Sequence, residues 1–280
     1  MKKLVVFLIL LLLLLLPGSS QAELDLDQEV IIIPDTHNDK PYVWDVQRNP
    51  REYKLVMDHI APTVGTDSSF LFEIKSNSSV EINNMHVFIT DEDLHTFAHV
   101  RPLKNAEGKY SFNFASPATG KFRFEIVFKA EGRWVNISKD IKLKGTTVQR
   151  EAGVKHGDED YAVKVKLYPK SFYAEHAGTF LYELSYKGEK LKDIEKMDGF
   201  DMQIAAWDED LKEFIYATPK QNLGGPEVAV SLVFMRSGKH AVFAEFKHNG
   251  IIRKIDFVIN VLHEWIIDEN NIESLRPSDF

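Results

Sequence analysis

The chain has 280 residues, of which 44% are hydrophobic and 27% charged, and its formal net charge at pH 7 is −8. This composition is that of an ordinary globular protein, and its apolar content is too high for a chain that is disordered throughout. An acidic chain is a poor candidate for binding nucleic acid or anionic lipid. The absence of cysteine excludes disulfides, thiolate metal ligands and a cysteine nucleophile.

The first 22 residues predict a secretory signal peptide. Lys2 and Lys3 precede an unbroken apolar run, Leu4–Leu16, and Ser20-Gln21-Ala22 provides the small residues of a cleavage site. The run is too short for a typical transmembrane helix, although an uncleaved N-terminal anchor is the alternative. We therefore expect an exported protein, periplasmic or extracellular, that does not insert into the membrane once the signal is removed.

An internal repeat organises the rest of the chain. The segment Met85–Pro102 aligns without gaps on Met202–Pro219, and seven of the 18 aligned positions are identical, including the run Asp-Glu-Asp-Leu. A second match follows in the same order, between the segments that begin at Gly120 and at Gly238. Self-similarity of this kind indicates two copies of one structural unit.

Short segments that alternate apolar and polar residues make up each repeat. In Lys121–Phe128, the alternation places Phe122, Phe124 and Ile126 on one face, which predicts a half-buried β-strand. Glycine, asparagine and aspartate separate about seven such strands per repeat, a number typical of an immunoglobulin-like sandwich. We expect an all-β protein with two tandem immunoglobulin-like β-sandwich domains after a cleavable signal peptide. A jelly roll or a small barrel is the alternative.

The repeat boundaries and the composition between them divide the chain into six segments. These are a signal peptide (1–22), an N-terminal extension (23–53), a first β-sandwich repeat (54–145), a linker (146–160), a second β-sandwich repeat (161–262) and an acidic C-terminal tail (263–280). The tail carries five acids and one arginine, and its apolar run Trp265-Ile266-Ile267 is a candidate for docking.

The repeated Asp-Glu-Asp-Leu segment predicts a turn. Met85, Val87 and Ile89 alternate toward the core, and Asp91-Glu92-Asp93 then leaves the strand, where aspartate side chains cap nearby backbone N–H groups. The structural interpretation is a corner shared by both domains. Calcium binding is the alternative, but three consecutive acids lack the spaced ligands of a calcium loop.

Two histidines distinguish the first copy from the second, because His86 and His99 align with Gln203 and Tyr216. If their strands pair as a hairpin, the two histidines approach each other across it. Imidazole and thioether are acceptable ligands of Cu(I), but a period of two places Met85 and His86 on opposite faces of the strand. The metal hypothesis therefore takes His86 and His99 as ligands, and ordinary surface histidines are the alternative.

At this motif the chain resembles the YtkA-like exported β-sandwich domains. The resemblance is carried by Met85-His86-Val87, by Asp93-Leu94 with Phe97, His99 and Pro102, and by the strand from Gly120 to Phe128. It covers most of both repeats and implies a role in exported metal or copper handling, with His86 and His99 as the ligands. The family's His-x-His-Pro run reads His99-Val100-Arg101-Pro102 here.

These features predict an exported, non-catalytic binding module. The more specific expectation is a role in periplasmic metal (copper) handling. Its partner is a metal ion or an exported protein, and copper is the cofactor considered. The alternative is a structural or protein- or glycan-interaction module of the cell envelope without metal. Exposed aromatic residues would form its ligand platform: Trp134, Trp207, Tyr216 and Trp265. No enzyme is expected, because neither Gly-x-Ser-x-Gly, nor His-Glu-x-x-His, nor a glycine-rich phosphate loop occurs.

Overall fold

The computed structural model describes residues 52–59, 65, 67–144 and 160–263, together with the backbone of two short strands at 23–25 and 46–48. The predicted signal peptide, most of the N-terminal extension, the linker up to residue 159 and the tail beyond His263 lie outside the described residues. Within the described ranges, no helix has the length and apolar content needed to cross a membrane.

All regular secondary structure in these ranges is β-structure. In chain order, the strands are β1 (Glu23–Asp25), β2 (Val46–Arg48), β3 (Tyr53–His59), β4 (Asp67–Ser76), β5 (Ile82–Asp91), β6 (Phe97–Val100), β7 (Leu103–Lys104), β8 (Tyr110–Ala115), β9 (Gly120–Ala130), β10 (Arg133–Leu143), β11 (Tyr161–Tyr168), β12 (Ala177–Tyr186), β13 (Glu189–Lys190), β14 (Met202–Asp208), β15 (Phe214–Ala217), β16 (Glu227–Val233), β17 (Gly238–His248) and β18 (Ile251–Val261).

The first sandwich has the strand order of an immunoglobulin-like domain. One sheet runs β3-β4-β8-β7, which corresponds to the order A-B-E-D, and the other runs β10-β9-β5-β6, which corresponds to G-F-C with one further edge strand. The short strand β2 pairs in parallel with the outer edge of β10.

The second sandwich repeats this order. Its first sheet contains β11, β12 and β16, with β13 beside the end of β12, and its second sheet runs β18-β17-β14-β15. The N-terminal strand β1 pairs in parallel with β11. The N-terminal extension therefore adds a strand to both sandwiches. The prediction of an all-β protein with two tandem immunoglobulin-like sandwiches is confirmed.

Each sandwich has its own core of alternating inward side chains. In the first, Phe122, Phe124 and Ile126 are fully buried among the residues of both sheets, as the period of two in the sequence predicts. In the second, Met202 and Ile204 occupy the same kind of position. Met85 lies in the first core, so its side chain points away from the face that carries His86.

A third core lies between the two sandwiches, and we call it the inter-sandwich core. Its buried members come from β5, β6 and β9 of the first sandwich and from β14, β15, β17 and the Asp-Glu-Asp-Leu turn of the second: Phe88, Phe97, Val127, Ala205, Trp207, Leu211, Tyr216, Ala241 and Phe243. The sheets β10-β9-β5-β6 and β18-β17-β14-β15 therefore pack face to face. Their central strands are buried on both sides, and the described domains form four stacked layers.

The repeated acidic motif is the structural corner that the sequence predicts. Asp91 Oδ1 accepts hydrogen bonds from the backbone N–H groups of His95 and Thr96, at 2.7 and 3.2 Å. In the second copy, Asp208 Oδ1 accepts the equivalent two bonds, at 2.6 and 2.8 Å. Leu211 adopts a left-handed backbone (φ 56°), and its side chain is buried in the inter-sandwich core. The turn thus caps a strand and contributes to the contact between the sandwiches.

Phe97→Ala tests whether the two sandwiches unfold as one unit. The Phe97 ring stacks on Phe243 of the other sandwich, with centroids 4.6 Å apart, so truncation leaves a cavity and is expected to cost about 3 kcal/mol or more. Guanidinium unfolding followed by tryptophan fluorescence and by circular dichroism should show one shared transition, displaced to lower denaturant. Leu103→Ala, at a side chain that is 77% exposed, should change stability by less than about 0.5 kcal/mol. Two separate wild-type transitions would contradict the single unit.

Candidate functional site

The structure brings together the two histidines that the sequence selects. His86 lies on β5 and His99 on β6, in adjacent antiparallel strands. His86 Nδ1 is 3.0 Å from His99 Nε2, and both imidazoles are about 1% exposed. The hairpin pairing expected from the sequence therefore places the rings in direct contact. The alternative of ordinary surface histidines is wrong, because both rings are buried in the contact between the sandwiches.

A glutamate from the second sandwich completes the cluster. His99 Nδ1 lies 2.5 Å from Glu245 Oε2 on β17, and Glu245 Oε1 is 3.6 Å from the Lys254 ammonium. Because a carboxylate accepts hydrogen bonds, His99 Nδ1–H donates to Glu245, and a second hydrogen bond joins His86 Nδ1 and His99 Nε2. We call His86, His99 and Glu245 the histidine–glutamate chain. Within the described ranges, His86 Nε2 has no hydrogen-bond partner.

Aromatic rings surround the histidine–glutamate chain. Phe88 stacks on His99, with ring centroids 4.2 Å apart, and Trp134 and Tyr216 pack around His86, with centroids 5.9 and 5.5 Å from its ring. Burial among these rings lowers the pKa of His86 to about 3, and the neighbouring His99 acts in the same direction. His86 is therefore neutral at physiological pH. Burial also raises the pKa of Tyr216, which keeps its hydroxyl protonated.

Further polar bonds cross between the sandwiches. Arg123 Nη1 donates to the Leu211 carbonyl at 2.7 Å, and Arg101 Nε donates to Asp198 Oδ2 at 2.8 Å. The fully buried Glu125 accepts bonds from the Asn136 amide and the Ser138 hydroxyl. Burial raises the pKa of Glu125, while these hydrogen bonds oppose the rise. The bonds of Arg123 and Arg101 join the two sandwiches, whereas the partners of Glu125 lie on the neighbouring strand β10 of its own sheet.

The histidine pair satisfies part of what a metal site requires. Two imidazole nitrogens face each other, and Glu245 orients one ring in the way that a carboxylate orients a metal-bound histidine. The facing nitrogens are, however, bonded to each other, and the neighbouring side chains are aromatic. The described part of the chain contains no group of three or more His, Cys, Asp or Glu residues that could hold a metal ion. A bound ion would have to replace the bond between His86 and His99.

A second candidate site is a groove of about 830 Å³ where the two sandwiches meet, which we call the junction groove. The first sandwich contributes the outward face of β9 and β10, including Arg123 and Trp134. The second contributes the adjacent strands β15 and β16, with Phe214, Leu232 and Met235 among the apolar lining residues. In the described part of the chain, β15 pairs with β14 alone and β16 with β12 alone. Two sheet edges are thus open toward the groove.

The charged residues of the junction groove are held by hydrogen bonds within the fold. Glu213 accepts the backbone N–H groups of Met235 and Arg236, at 2.6 and 3.2 Å, and its Oε2 is 2.9 Å from His240 Nε2. The Arg236 guanidinium is 2.7 Å from Asp208 Oδ2. These groups therefore shape the rim of the groove.

The aromatic platform considered from the sequence is not formed. Trp207 is 0% exposed and Tyr216 only 6%, because both side chains belong to the inter-sandwich core. Trp134 lines the junction groove as well as the histidine pair. Two of the four aromatic residues are thus buried between the domains, and one contributes to a concave surface. The fourth, Trp265, lies outside the described residues.

Sequence reasoning missed Glu245, although a signal for it exists. Residues 241–246 read Ala-Val-Phe-Ala-Glu-Phe, which is an almost continuous apolar run. Such a run is typical of a strand buried on both faces, and an acid within it needs a partner. The junction groove has no comparable signal, because its walls come from four strands in two separate domains.

Comparison with protein families finds one match. Residues 155–263 match the family described as a domain of unknown function, DUF8832. The match includes the whole second sandwich and less than half of the chain. A comparison with curated protein sequences finds no match.

The chain is also similar to several proteins of known structure. A red sea bream transglutaminase is 12% identical, with 76% of this chain and 32% of that chain covered and a TM-score of 0.24. The Escherichia coli adhesin FdeC is 11% identical, with 75% and 64% covered and a TM-score of 0.24. Invasin, a bacterial integrin-binding protein, is 14% identical, with 76% and 39% covered and a TM-score of 0.27. The chain spans less than two thirds of each of these proteins.

His86→Gln tests the burial of the histidine pair, and Gln203 occupies the equivalent position in the second repeat. The unfolded chain binds a proton at this histidine below its ordinary pKa of 6.5, whereas the folded chain does so only near 3. Neutral His86 thus makes the free energy of unfolding fall as the pH drops from 6.5 toward 3, by up to about 1.4 kcal/mol per pH unit. Urea unfolding between pH 7 and pH 4 should show a shallower fall for His86→Gln.

The control for this experiment is His95→Gln, at an exposed histidine on the turn that follows β5. This variant should keep the pH dependence of the wild type. Equal pH dependence in His86→Gln and the wild type would contradict the assignment of His86 as a neutral, buried group.

Proposed function

We propose that the chain is an exported, non-catalytic binding module that takes an extended peptide segment of a protein partner in the junction groove. The observation that carries this proposal is the meeting of two open strand edges, β15 and β16, with the outward face of the first sandwich. An open edge offers unpaired backbone N–H and C=O groups to an added strand.

The shape and lining of the groove support a peptide as the ligand. Its volume of about 830 Å³ lies within the range of sites that enclose a ligand, between about 300 and 1,000 Å³. Its walls combine apolar side chains, such as those of Trp134, Ile215 and Met235, with polar ones such as Ser138 and Ser231. Backbone pairing would supply affinity, and these side chains would select the residues of the bound strand.

Two features support the non-catalytic and exported parts of the proposal. The carboxylate of Glu213, the acid of the groove, is bound to His240 and to two backbone N–H groups, so its position is structural. The sequence of residues 1–22 has the charge, apolar run and small residues of a signal peptide. A rigid pair of sandwiches suits presentation of a binding surface outside the cell.

Copper handling at His86 and His99 is the second candidate, in line with the resemblance to YtkA-like domains. The observation that favours it is the approach of the two ring nitrogens to 3.0 Å, with Glu245 bound to the far side of His99. The aromatic surroundings and the mutual hydrogen bond count against it. If copper binds here, His86 and His99 would hold it and Glu245 would orient His99.

Met235→Arg tests the groove. Peptides selected from a displayed library on the chain from Glu23 onward should bind with micromolar dissociation constants. Met235→Arg places a charged side chain against the apolar lining and should weaken this binding at least tenfold. The matched control is Val258→Arg, also at an exposed apolar residue (60% exposed against 47% for Met235) but outside the groove. Equal losses in both variants, or no selected peptide, would contradict a peptide groove.

A metal titration tests the second candidate. Thermal unfolding in the presence of Cu(I), Cu(II) or Zn(II) should leave the midpoint unchanged, because the nitrogens of His86 and His99 satisfy each other. A site filled at a hundredfold excess over its dissociation constant would stabilise the fold by about 2.7 kcal/mol. A rise of that size with copper, abolished in both His86→Ala and His99→Ala, would establish copper binding and replace the expected result.

A further inference from the structure

Strand β18 forms an open edge of the second sandwich. Within the residues that the structure describes, β18 pairs with β17 on one side and with no strand on the other. The edge is 11 residues long, about twice the usual length of a strand. Three of its apolar side chains are exposed, those of Ile251, Ile252 and Val258. A long, exposed apolar edge is a surface on which another strand can pair.

The equivalent strand of the first repeat shows that this edge accepts an added strand. Strand β10 occupies the same position in its own sheet, and β2 is added in parallel to its outer edge along residues 134–136. The rest of β10 carries exposed charges, including Asp140, whereas Val258 stands at the equivalent place in β18. The first repeat thus has a covered and charged edge, and the second has an open apolar one.

The outward side chains of β18 form a pattern that is complementary to itself. Ile255 and Ile259 point into the core of the second sandwich, so the residues between and before them face outward. Two apolar side chains enclose two of opposite charge in this outward set: Ile252, Lys254, Asp256 and Val258. Read in the reverse direction, the same set places an anion where the cation was and an apolar residue where an apolar residue was. Contact around a twofold axis requires such a surface.

A second copy of β18 fits this set in one antiparallel register. Residues that exchange backbone hydrogen bonds across the new edge belong to the same alternating set, so the axis passes through a residue. With the axis at Ile255, Lys254 of each copy lies opposite Asp256 of the other, and Ile252 lies opposite Val258. Moving the axis to Lys254 or to Asp256 places that charge opposite its own copy. Directly opposed like charges destabilise a sheet, whereas opposite charges and apolar pairs stabilise it.

We propose that the chain forms a homodimer in which β18 of one copy pairs antiparallel with β18 of the other around Ile255. The two four-stranded sheets β18-β17-β14-β15 then form one continuous sheet of eight strands. Residues 251–259 of each copy take part in the pairing. The junction groove lies at β15, the opposite edge of the same sheet, so each copy keeps its own groove.

Measurement of the molecular mass tests the dimer. Sedimentation equilibrium of the chain from Glu23 onward should give the mass of two copies at about 100 µM, and dilution should yield the dissociation constant. Val258→Arg places a cation opposite Ile252 and next to Lys254, and should raise this constant at least tenfold. The matched control is Met235→Arg, at an exposed apolar residue of the junction groove, which should dimerise like the unaltered chain. The mass of one copy at every concentration, or equal effects of the two variants, would overturn the dimer.

An exchange of charges tests the register. Asp256→Lys gives an edge with two cations and Lys254→Asp an edge with two anions, so each variant alone should remain a single copy because like charges face each other. An equal mixture should form a heterodimer, since each cation of one variant then lies opposite an anion of the other. If both variants retain the circular dichroism of the unaltered chain and their mixture stays monomeric, the register is wrong.

Disulfide formation locates the contact directly, because the chain has no cysteine of its own. Ile252→Cys mixed with Val258→Cys places two thiols on directly opposite residues, at a Cα separation of about 5.5 Å that a disulfide can span. Two copies of Val258→Cys place them six residues apart along the strands, about 20 Å. The mixture should therefore form intermolecular disulfides at least ten times faster than either variant alone. Equal rates would refute the antiparallel pairing of β18 with its own copy.

Discussion

The face-to-face contact of two β-sheets is the constraint on which the rest of this structure depends. An isolated sandwich buries one face of each sheet and leaves the other in water. Here Phe97, Trp207 and Phe243 fill the space between two sheets that would otherwise be outer faces. The two repeats therefore share a third core, and side chains that would be solvated in a single domain are buried.

Burial of this face explains where the two copies of the repeat differ. His86 and His99 align with Gln203 and Tyr216, and Glu245 stands where the first copy has Val127. All six residues lie on the faces that contact the other sandwich. The two copies therefore differ at positions where the sandwiches meet.

The buried polar groups of this contact define its register more than they add to its stability. Removing a hydrogen-bonded charge from water has a high cost, which its partner offsets only when the geometry is good. Glu245 is bound to His99 across the contact, and Arg123 reaches across to the Leu211 carbonyl. A shift of one sheet along the other would leave these groups unpaired. The same fixed register holds open the groove between β10 and the edges of β15 and β16.

Much of the fold follows from the sequence alone, and much of the site does not. Alternation in Lys121–Phe128 predicts a strand, and the repeated Asp-Glu-Asp-Leu predicts a corner. The hairpin of β5 and β6 on either side of that corner brings His86 to His99. These features depend on backbone periodicity and on neighbours close in the chain, which a sequence displays. Only the tertiary structure decides that Trp207 is buried, that Glu245 meets His99 and that a groove opens beside Met235. Those contacts join residues more than a hundred positions apart or separate domains, and they depend on how one whole sheet lies on another.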